Sequence, residues 1–183
     1  MIAVISGSNR KENNSLKLAR HVVQLYQEMD EAATLLDLNQ LPEGSLHPQG
    51  YGNKPEALQT GFIEPVLSSE GLHIVVPEYN GSFPGVLKYF IDLLPFPESF
   101  DCRPVAFIGH SGGYYGALRS VEQLQMVFAY RNAYLFNRRV FIPAAYKVFA
   151  EDGSILDEDL VARLATQAEK FIGFTRSLKA DRS

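Results

Sequence analysis

The sequence predicts an α/β fold in which a doubly wound, five-stranded parallel sheet carries helices on both faces. Short apolar runs of β type alternate along the 183 residues with longer runs of helical periodicity, as in repeated βα units. Residues 74–76, Ile-Val-Val, are apolar without alternation, which is typical of a strand buried on both faces of a parallel sheet. Because crossovers between parallel strands are right-handed, few topologies remain. The strand order 2-1-3-4-5 is the simplest for a single domain spanning residues 1–183.

Five strands are predicted, and turn-forming residues follow them. They are residues 1–6, 33–38, 72–76, 104–108 and 139–142. Gly7 follows the first strand, Pro77 the third and Gly109 the fourth, and each favours a turn at the carboxyl end of its strand. In open α/β sheets this end is where ligands bind.

Five helices are predicted from apolar residues at helical spacing. They are residues 15–29, 56–69, 85–94 and 117–130, and a last helix that begins after a cap at Asp157. Pro65 is expected to bend or delay the second helix. Residues 40–55 are rich in glycine, proline, asparagine and glutamine without periodicity. They are predicted to form a surface loop that is able to cover a site.

Composition and charge exclude several classes of protein. A formal charge of −4 and a pI near 5.6 give no electrostatic reason to expect binding to nucleic acid or to an acidic membrane. Cys102 is the only cysteine, and the four histidines are scattered without metal-ligand spacing. No apolar run approaches membrane-spanning length, and the first strand begins almost at Met1. We therefore expect a cytoplasmic protein without a metal.

The loop after the first strand has the composition of a phosphate site. Gly7 permits close backbone approach, neutral donors follow it, and Arg10 adds a charged fork. The next helix points its free N–H groups toward the same place. The neutral donors are Ser8, Asn13, Asn14 and Ser15. The alternative is a polar turn in which Asn14 or Ser15 only caps the helix.

The loops after the third and fourth strands suit a flat ligand. The loops after the first, third and fourth strands are called the first, second and third loop. The second loop has Pro77 to stiffen it and Asn80-Gly81 to allow left-handed backbone geometry. The third loop, His110-Ser111-Gly112-Gly113-Tyr114, has paired glycines that let the backbone lie close to a ring. The alternatives are ordinary surface roles for Glu78 and Tyr79, and a flexible strand-to-helix turn for the third loop.

These loops together carry a family resemblance. The stretch from Pro77 to Lys88, Pro-Glu-Tyr-Asn-Gly-Ser-Phe-Pro-Gly-Val-Leu-Lys, is similar to the signature of the NADPH-dependent FMN reductases. These are flavodoxin-like proteins that include quinone, azo and chromate reductases. The Gly-Ser-x-Arg run at residues 7–10 and the glycine loop with Gly116 and Arg119 also resemble that family. Asn13 and Phe83 depart from the pattern, since serine and a smaller aliphatic residue are common there.

The resemblance implies an FMN site built from all three loops. Ser8, Arg10, Asn14 and Ser15 would anchor the phosphate. The residues that would frame the flavin are Pro77, Glu78, Tyr79, Asn80, Gly81, Ser111, Gly112, Gly113 and Tyr114. The implied reaction is hydride transfer from NADPH or NADH to the flavin, followed by reduction of a quinone, a free flavin or a similar small-molecule acceptor. No side chain is required as acid or base in the first step. The resemblance also implies a homodimer or homotetramer.

Two other functions are compatible with the same fold. One is a flavodoxin-type electron carrier, which binds FMN but does not oxidise a nicotinamide. Arg10 in the phosphate loop and the modest acidity of the chain disfavour it. The other is an interaction module that binds no flavin.

Overall fold

The computed structural model describes residues 1–45, 47 and 51–180. Its sheet is parallel, with strand order β2-β1-β3-β4-β5 and with β6 also paired to β4. The strands are β1 (Ile2–Ser6), β2 (Ala33–Asp37), β3 (Gly71–Pro77), β4 (Pro104–His110), β5 (Tyr134–Leu135) and β6 (Val140–Ile142). The predicted fold class and strand order are confirmed.

Helices cover both faces of this sheet. They are α1 (Asn14–Glu28), α2 (Glu56–Leu58), α3 (Glu64–Ser68), α4 (Gly85–Leu93), α5 (Leu118–Tyr130) and α6 (Glu158–Ala180). In β1, Ile2 and Val4 pack in the cluster that contains α1 and α6, whereas Ala3 and Ile5 pack in the cluster that contains α4 and α5. Successive strand residues point to opposite faces, so a strand with a helical layer on each side is apolar throughout.

The second predicted helix, 56–69, is helical from residue 56 to residue 68 but irregular. A π-helical turn, Gln59–Ile63, lies between α2 and α3, and Pro65 occupies the first turn of α3. Proline has no N–H to donate to the preceding turn, which accounts for the local change in hydrogen bonding. Residues 46 and 48–50 of the predicted 40–55 loop lie outside the described residues, so its covering role stays a prediction.

The edge strand differs from the prediction because it is in two pieces. β5 pairs with β4 at Pro104 and Val105, and β6 pairs with β4 from Ile108 to His110. Between them, the buried side-chain amide of Gln167 donates to Phe107 O at 2.9 Å and to Arg138 O at 2.6 Å. A side chain from α6 thus replaces a missing rung of the backbone ladder.

A buried polar chain extends inward from this rung. Gln167 Oε1 lies 3.2 Å from His73 Nε2, and His73 Nδ1 lies 2.8 Å from the Tyr26 hydroxyl. Burial lowers the pKa of His73 to about 4, since desolvation disfavours the imidazolium. His73 is therefore neutral near pH 7 and serves the packing of β3 against α1 and α6.

No helix in the described part of the chain is long and apolar enough to cross a membrane.

The carboxyl ends of β1, β3 and β4 lie side by side in the sheet, with Ser6 opposite Val75 and Pro77 opposite His110. The loops that follow these three strands therefore leave the sheet at the same edge.

Candidate functional site

A cavity of about 370 Å³ lies at the carboxyl edge of the sheet, where the three loops meet. The predicted site residues that line it are Arg10, Asn14, Pro77, Glu78, Tyr79, Ser111 and Gly112. Its other lining residues are Lys11, Glu12, Asn13, His110, Ala145 and Tyr146. The sequence thus predicted the position of the cavity and about half of its wall.

Arg10 and Tyr79 join the first loop to the second. The Arg10 guanidinium carbon lies 3.9 Å from the centroid of the Tyr79 ring, within the range of a cation–π contact. Ser8 is fully buried, and its Oγ lies 2.6 Å from the Tyr79 hydroxyl and accepts a 3.3 Å hydrogen bond from Arg10 N. Ser8 therefore does not line the cavity itself but holds two residues that do.

The start of α1 presents backbone donors to the cavity. Asn13 caps the helix, because its Oδ1 accepts from Leu16 N at 2.8 Å and its Nδ2 donates to Arg10 O. The cap is thus Asn13 rather than Asn14 or Ser15. The first N–H groups of a helix have no acceptor within the helix, so the backbone amides of Asn14 and Ser15 are available to an anion.

Ser15 is fully buried and does not line the cavity. Ser15 Oγ lies 2.7 Å from His110 Nε2 in a buried hydrogen bond, so the hydroxyl already has a partner. Burial lowers the pKa of His110 to about 4. The imidazole therefore adds no positive charge to the cavity near neutral pH. His110 lines the cavity, although the sequence analysis did not place it among the site residues.

The second loop contains a tight turn whose tip does not line the cavity. Tyr79 N donates to Ser82 O at 2.8 Å and Ser82 N donates to Tyr79 O at 3.1 Å. Asn80 and Gly81 at the tip have φ of 53° and 79°, a left-handed geometry that glycine and asparagine adopt most readily. These two residues shape the turn, but neither lines the cavity.

The second and third loops are tied to each other. Glu78 N donates to His110 O at 3.1 Å, and the Glu78 carboxylate pairs with Arg119 at 3.4 Å. Arg119 is more than half exposed, so this ion pair adds little stability. It does offset the negative charge of Glu78 at the cavity wall.

The third loop is open where Gly112 lies. A Cβ added to Gly112 would meet no atom within 4 Å, so a ligand can approach this stretch of backbone. Ser111 N donates to Ile142 O at 3.1 Å, which ties the loop to β6. Gly113 and Tyr114 lie beyond the cavity wall, and Tyr114 is 89% exposed.

A fourth segment, which the sequence did not indicate, completes the wall. The 3₁₀ turn Ala145–Lys147 follows β6, and Ala145 and Tyr146 line the cavity. Asn14 Nδ2 donates to Ala145 O at 3.0 Å, and Ala145 N donates to Ser111 O at 2.9 Å. This turn therefore bridges the first and third loops. No local motif marks it, because its place depends on pairing of the edge strand.

Gly7 has a different role from the one predicted. A Cβ there would lie 2.7 Å from Val75 O and 3.1 Å from a Leu87 methyl carbon. Gly7 N also donates to Val75 O at 2.9 Å. The glycine thus lets the first loop pack against β3 and α4, and the close approach is within the protein rather than to a ligand.

A larger hollow of about 830 Å³ lies away from this edge, between α6 and the segment that joins β5 to β6. Arginine and aspartate side chains line it together, including Arg163 and Asp157. Gln167 at this hollow uses both amide hydrogens on backbone carbonyls. The side chains of this hollow carry both charges and do not indicate one kind of ligand.

The residues of the smaller cavity suit a phosphorylated, planar ligand. Helix amides and Arg10 provide donors for a phosphate, while the Tyr79 ring and the open backbone at Gly112 provide surfaces for a flat ring. Its volume of about 370 Å³ falls within the range of small-molecule sites. Among the described residues, no group of histidine, cysteine, aspartate or glutamate side chains is placed to hold a metal ion.

The strand order and the crevice at the switch point of the sheet define a flavodoxin-like protein. Residues 1–147 match the family model described as NADPH-dependent FMN reductase. The chain belongs to this family, and the predicted class of enzyme, an oxidoreductase that uses FMN with NAD(P)H, is confirmed.

Relatives extend the similarity over nearly the whole chain. A 2-hydroxy-1,4-benzoquinone reductase from Burkholderia sp is 31% identical over 179 residues, which cover 96% of each chain. A quinone reductase from Escherichia coli strain K12 is 26% identical over 97% of this chain and 96% of its own. The structure of FerB, a flavoenzyme NAD(P)H:(acceptor) oxidoreductase from Paracoccus denitrificans, superposes with a TM-score of 0.80. That pair is 26% identical, and the match covers 96% of this chain and 97% of FerB.

Proposed function

We propose that this enzyme reduces quinones, and that it holds FMN in the crevice between the loops that follow β1, β3 and β4. The observation that carries the proposal is that Arg10, Tyr79 and Gly112, one from each loop, line a single cavity. These residues are distant in sequence, so only the fold brings them together.

The phosphate would lie at the start of α1. Its donors would be the guanidinium of Arg10 and the backbone amides of Asn14 and Ser15. Ser8 Oγ accepts a hydrogen bond from Arg10 N and so positions this residue. Because His110 remains neutral, the charge that attracts the phosphate would come from Arg10, from Lys11, which lines the same cavity, and from the helix. Binding should therefore persist across the neutral pH range.

The flavin ring would be framed by the second and third loops. Pro77, Glu78 and Tyr79 form one wall, and Ser111 and Gly112 form the other. The other residues predicted to frame the flavin do not line the cavity. Asn80 and Gly81 shape the turn of the second loop, and Gly113 and Tyr114 continue the third loop beyond Gly112. When bound between these walls, FMN would supply the redox chemistry that links oxidation of NAD(P)H to reduction of the acceptor.

Quinone is the proposed acceptor because two relatives that align over nearly the full chain are named quinone reductases. We also propose that residues 1–183 act as one FMN-binding domain in the cytoplasm. Both core clusters pack on the same sheet, which supports one folding unit.

A homodimer or homotetramer is proposed as the assembly. Phe96 and Tyr130 are exposed by 52% and 80%, and the Arg131 guanidinium carbon lies 4.4 Å and 5.4 Å from the centroids of their rings. Exposed aromatic side chains with an arginine are typical of protein interfaces. Light scattering on the eluted protein would measure the mass, and a monomer at micromolar concentration would contradict this part of the proposal.

The test of the reaction is spectroscopic. Anaerobic addition of NADPH or NADH to the FMN-loaded protein should bleach the visible flavin bands, and a quinone should then restore them. Steady oxidation of the nicotinamide should require both FMN and the quinone. A protein that binds FMN but gives no bleaching would be an electron carrier, and a protein that binds no FMN would be an interaction module. Either result contradicts the proposal.

A further inference from the structure

We propose that Tyr146 is a fourth wall of the FMN site and that its ring shields the phosphate end from water. This inference rests on the proposed FMN site in the crevice and adds to it a residue from the segment after β6. Tyr146 lines the same cavity as Arg10 and Asn14 but comes from the edge of the sheet that the loop motifs do not include.

The backbone of the turn is fixed on the residues that would bind the phosphate. Ala145 O accepts from the Asn14 side chain at 3.0 Å, and Asn14 is the first residue of α1. Ala145 N donates to Ser111 O at 2.9 Å and Ala144 N donates to Gly113 O at 3.4 Å. The turn that presents Tyr146 is therefore held between the start of α1 and the third loop.

The side chain itself is available for a ligand. Tyr146 is 69% exposed, and none of the hydrogen bonds found among the described residues uses its hydroxyl. The Lys147 ammonium lies 5.5 Å from the Tyr146 ring centroid, so the same turn places a positive charge beside the ring. Tyr146 is thus an aromatic ring with a neighbouring cation on the wall of the proposed phosphate site, and such a ring is able to cover a phosphate.

The physical effect of such a cover is electrostatic. Water and salt weaken the attraction between an exposed cation and an anion, whereas a shielded pair is weakened much less. Covering the phosphate with the Tyr146 ring would strengthen its attraction to Arg10 and to the amides of α1. Removing the ring should make FMN binding weaker and more sensitive to salt.

The experiment compares FMN and riboflavin binding by flavin fluorescence in Tyr146→Ala, Tyr146→Phe and wild type, at low and high salt. Tyr146→Ala should weaken FMN binding by about tenfold at physiological ionic strength, with a steeper salt dependence, and leave riboflavin binding unchanged. Tyr146→Phe keeps the ring and should stay within about twofold of wild type. Leu156→Ala is the control, because Leu156 is similarly exposed at 63%, lies between β6 and α6, and does not line the cavity.

Unchanged FMN affinity in Tyr146→Ala would overturn the inference, as would an equal loss of FMN and riboflavin. Those outcomes leave the proposed function intact, since wild-type protein would still bind FMN and oxidise NAD(P)H with a quinone. Failure of the wild type to bind FMN would instead contradict the proposed function. Thermal unfolding of each variant checks that the exposed substitutions leave the fold unchanged.

Discussion

The guanidinium of Arg10 lies over the ring of Tyr79, with 3.9 Å between its carbon and the ring centroid. This contact joins the loop that would bind phosphate to the loop that would frame the flavin. An arginine held in this way loses less conformational freedom when it binds an anion, because its side chain is already placed.

Arg10→Ala should weaken FMN binding by about tenfold to a hundredfold, since charge-assisted hydrogen bonds contribute roughly 1.5–3 kcal/mol. The free energy of unfolding of the flavin-free protein should change little, because Arg10 is exposed. Arg20→Ala is a matched control, as Arg20 is an exposed arginine on α1 outside the cavity. Fluorescence titration gives both affinities, and equal affinities in the two variants would remove Arg10 from the site.

The hydroxyl contact between Ser8 and Tyr79 should be measurable as a coupling energy. Tyr79→Phe keeps the ring under Arg10 but removes the 2.6 Å bond to Ser8 Oγ. A double-mutant cycle with Ser8→Ala, followed by urea unfolding, should give a coupling of about 1 kcal/mol. Additive losses in the double variant would show that the two hydroxyl groups do not stabilise each other.

Gly116 should tolerate no side chain, in contrast to Gly173. Gly116 has φ of 56°, and a Cβ there would lie 2.6 Å from Ile142 N. Gly116→Ala should therefore lower the free energy of unfolding by about 2 kcal/mol or more. Gly173→Ala, within α6 and with no atom within 4 Å of the added Cβ, should raise it by about 0.5–1 kcal/mol. Equal effects would contradict the packing of the third loop on β6.

Stability should fall as the pH decreases from about 6.5 toward 4. Burial lowers the pKa of His73 and of His110 to about 4, and it lowers the pKa of His21 as well. Between about pH 6.5 and 4 the unfolded chain binds protons at His73 and His110 while the folded chain does not. Unfolding is thereby favoured, and each of these two histidines contributes a slope of up to about 1.4 kcal/mol per pH unit. His21 acts in the same direction but is only half buried, so solvent reduces its contribution.

Urea unfolding between pH 5 and 8 measures this dependence. His73→Gln removes one buried imidazole and should give a shallower slope than wild type, whatever its absolute stability. A wild-type free energy of unfolding that is the same at pH 5 and at pH 7 would contradict the assignment of neutral buried histidines.

The sequence was sufficient for the central strands because they are buried on both faces and therefore apolar throughout. β3 and β4 each run to the residue that opens a loop, Pro77 and His110. β4 exceeds the predicted end at residue 108, because Gly109 and His110 still pair with the end of β3 on one side and with β6 on the other. That extension depends on a partner strand rather than on local composition.

The predicted strand 139–142 corresponds to β6, but the division of the edge into two strands and the fourth wall of the site could not be predicted, for the same reason. The gap between β5 and β6 is bridged by Gln167, which is 60 residues from Phe107 in sequence. The place of Tyr146 depends on β6 and on the bond from Asn14, which is 131 residues from Ala145. Patterns in neighbouring residues do not indicate contacts between positions so far apart in sequence. The bridge at Gln167 and the place of Tyr146 therefore become visible only in the folded structure.

The most direct test of the central claim is the visible spectrum of the purified protein after incubation with FMN and removal of unbound flavin. We expect flavin absorbance to elute with the protein at about one FMN per chain, to be largely lost from Arg10→Ala and to be kept by Arg20→Ala. A wild-type protein that elutes colourless, or an Arg10→Ala variant that retains as much FMN as wild type, would contradict it.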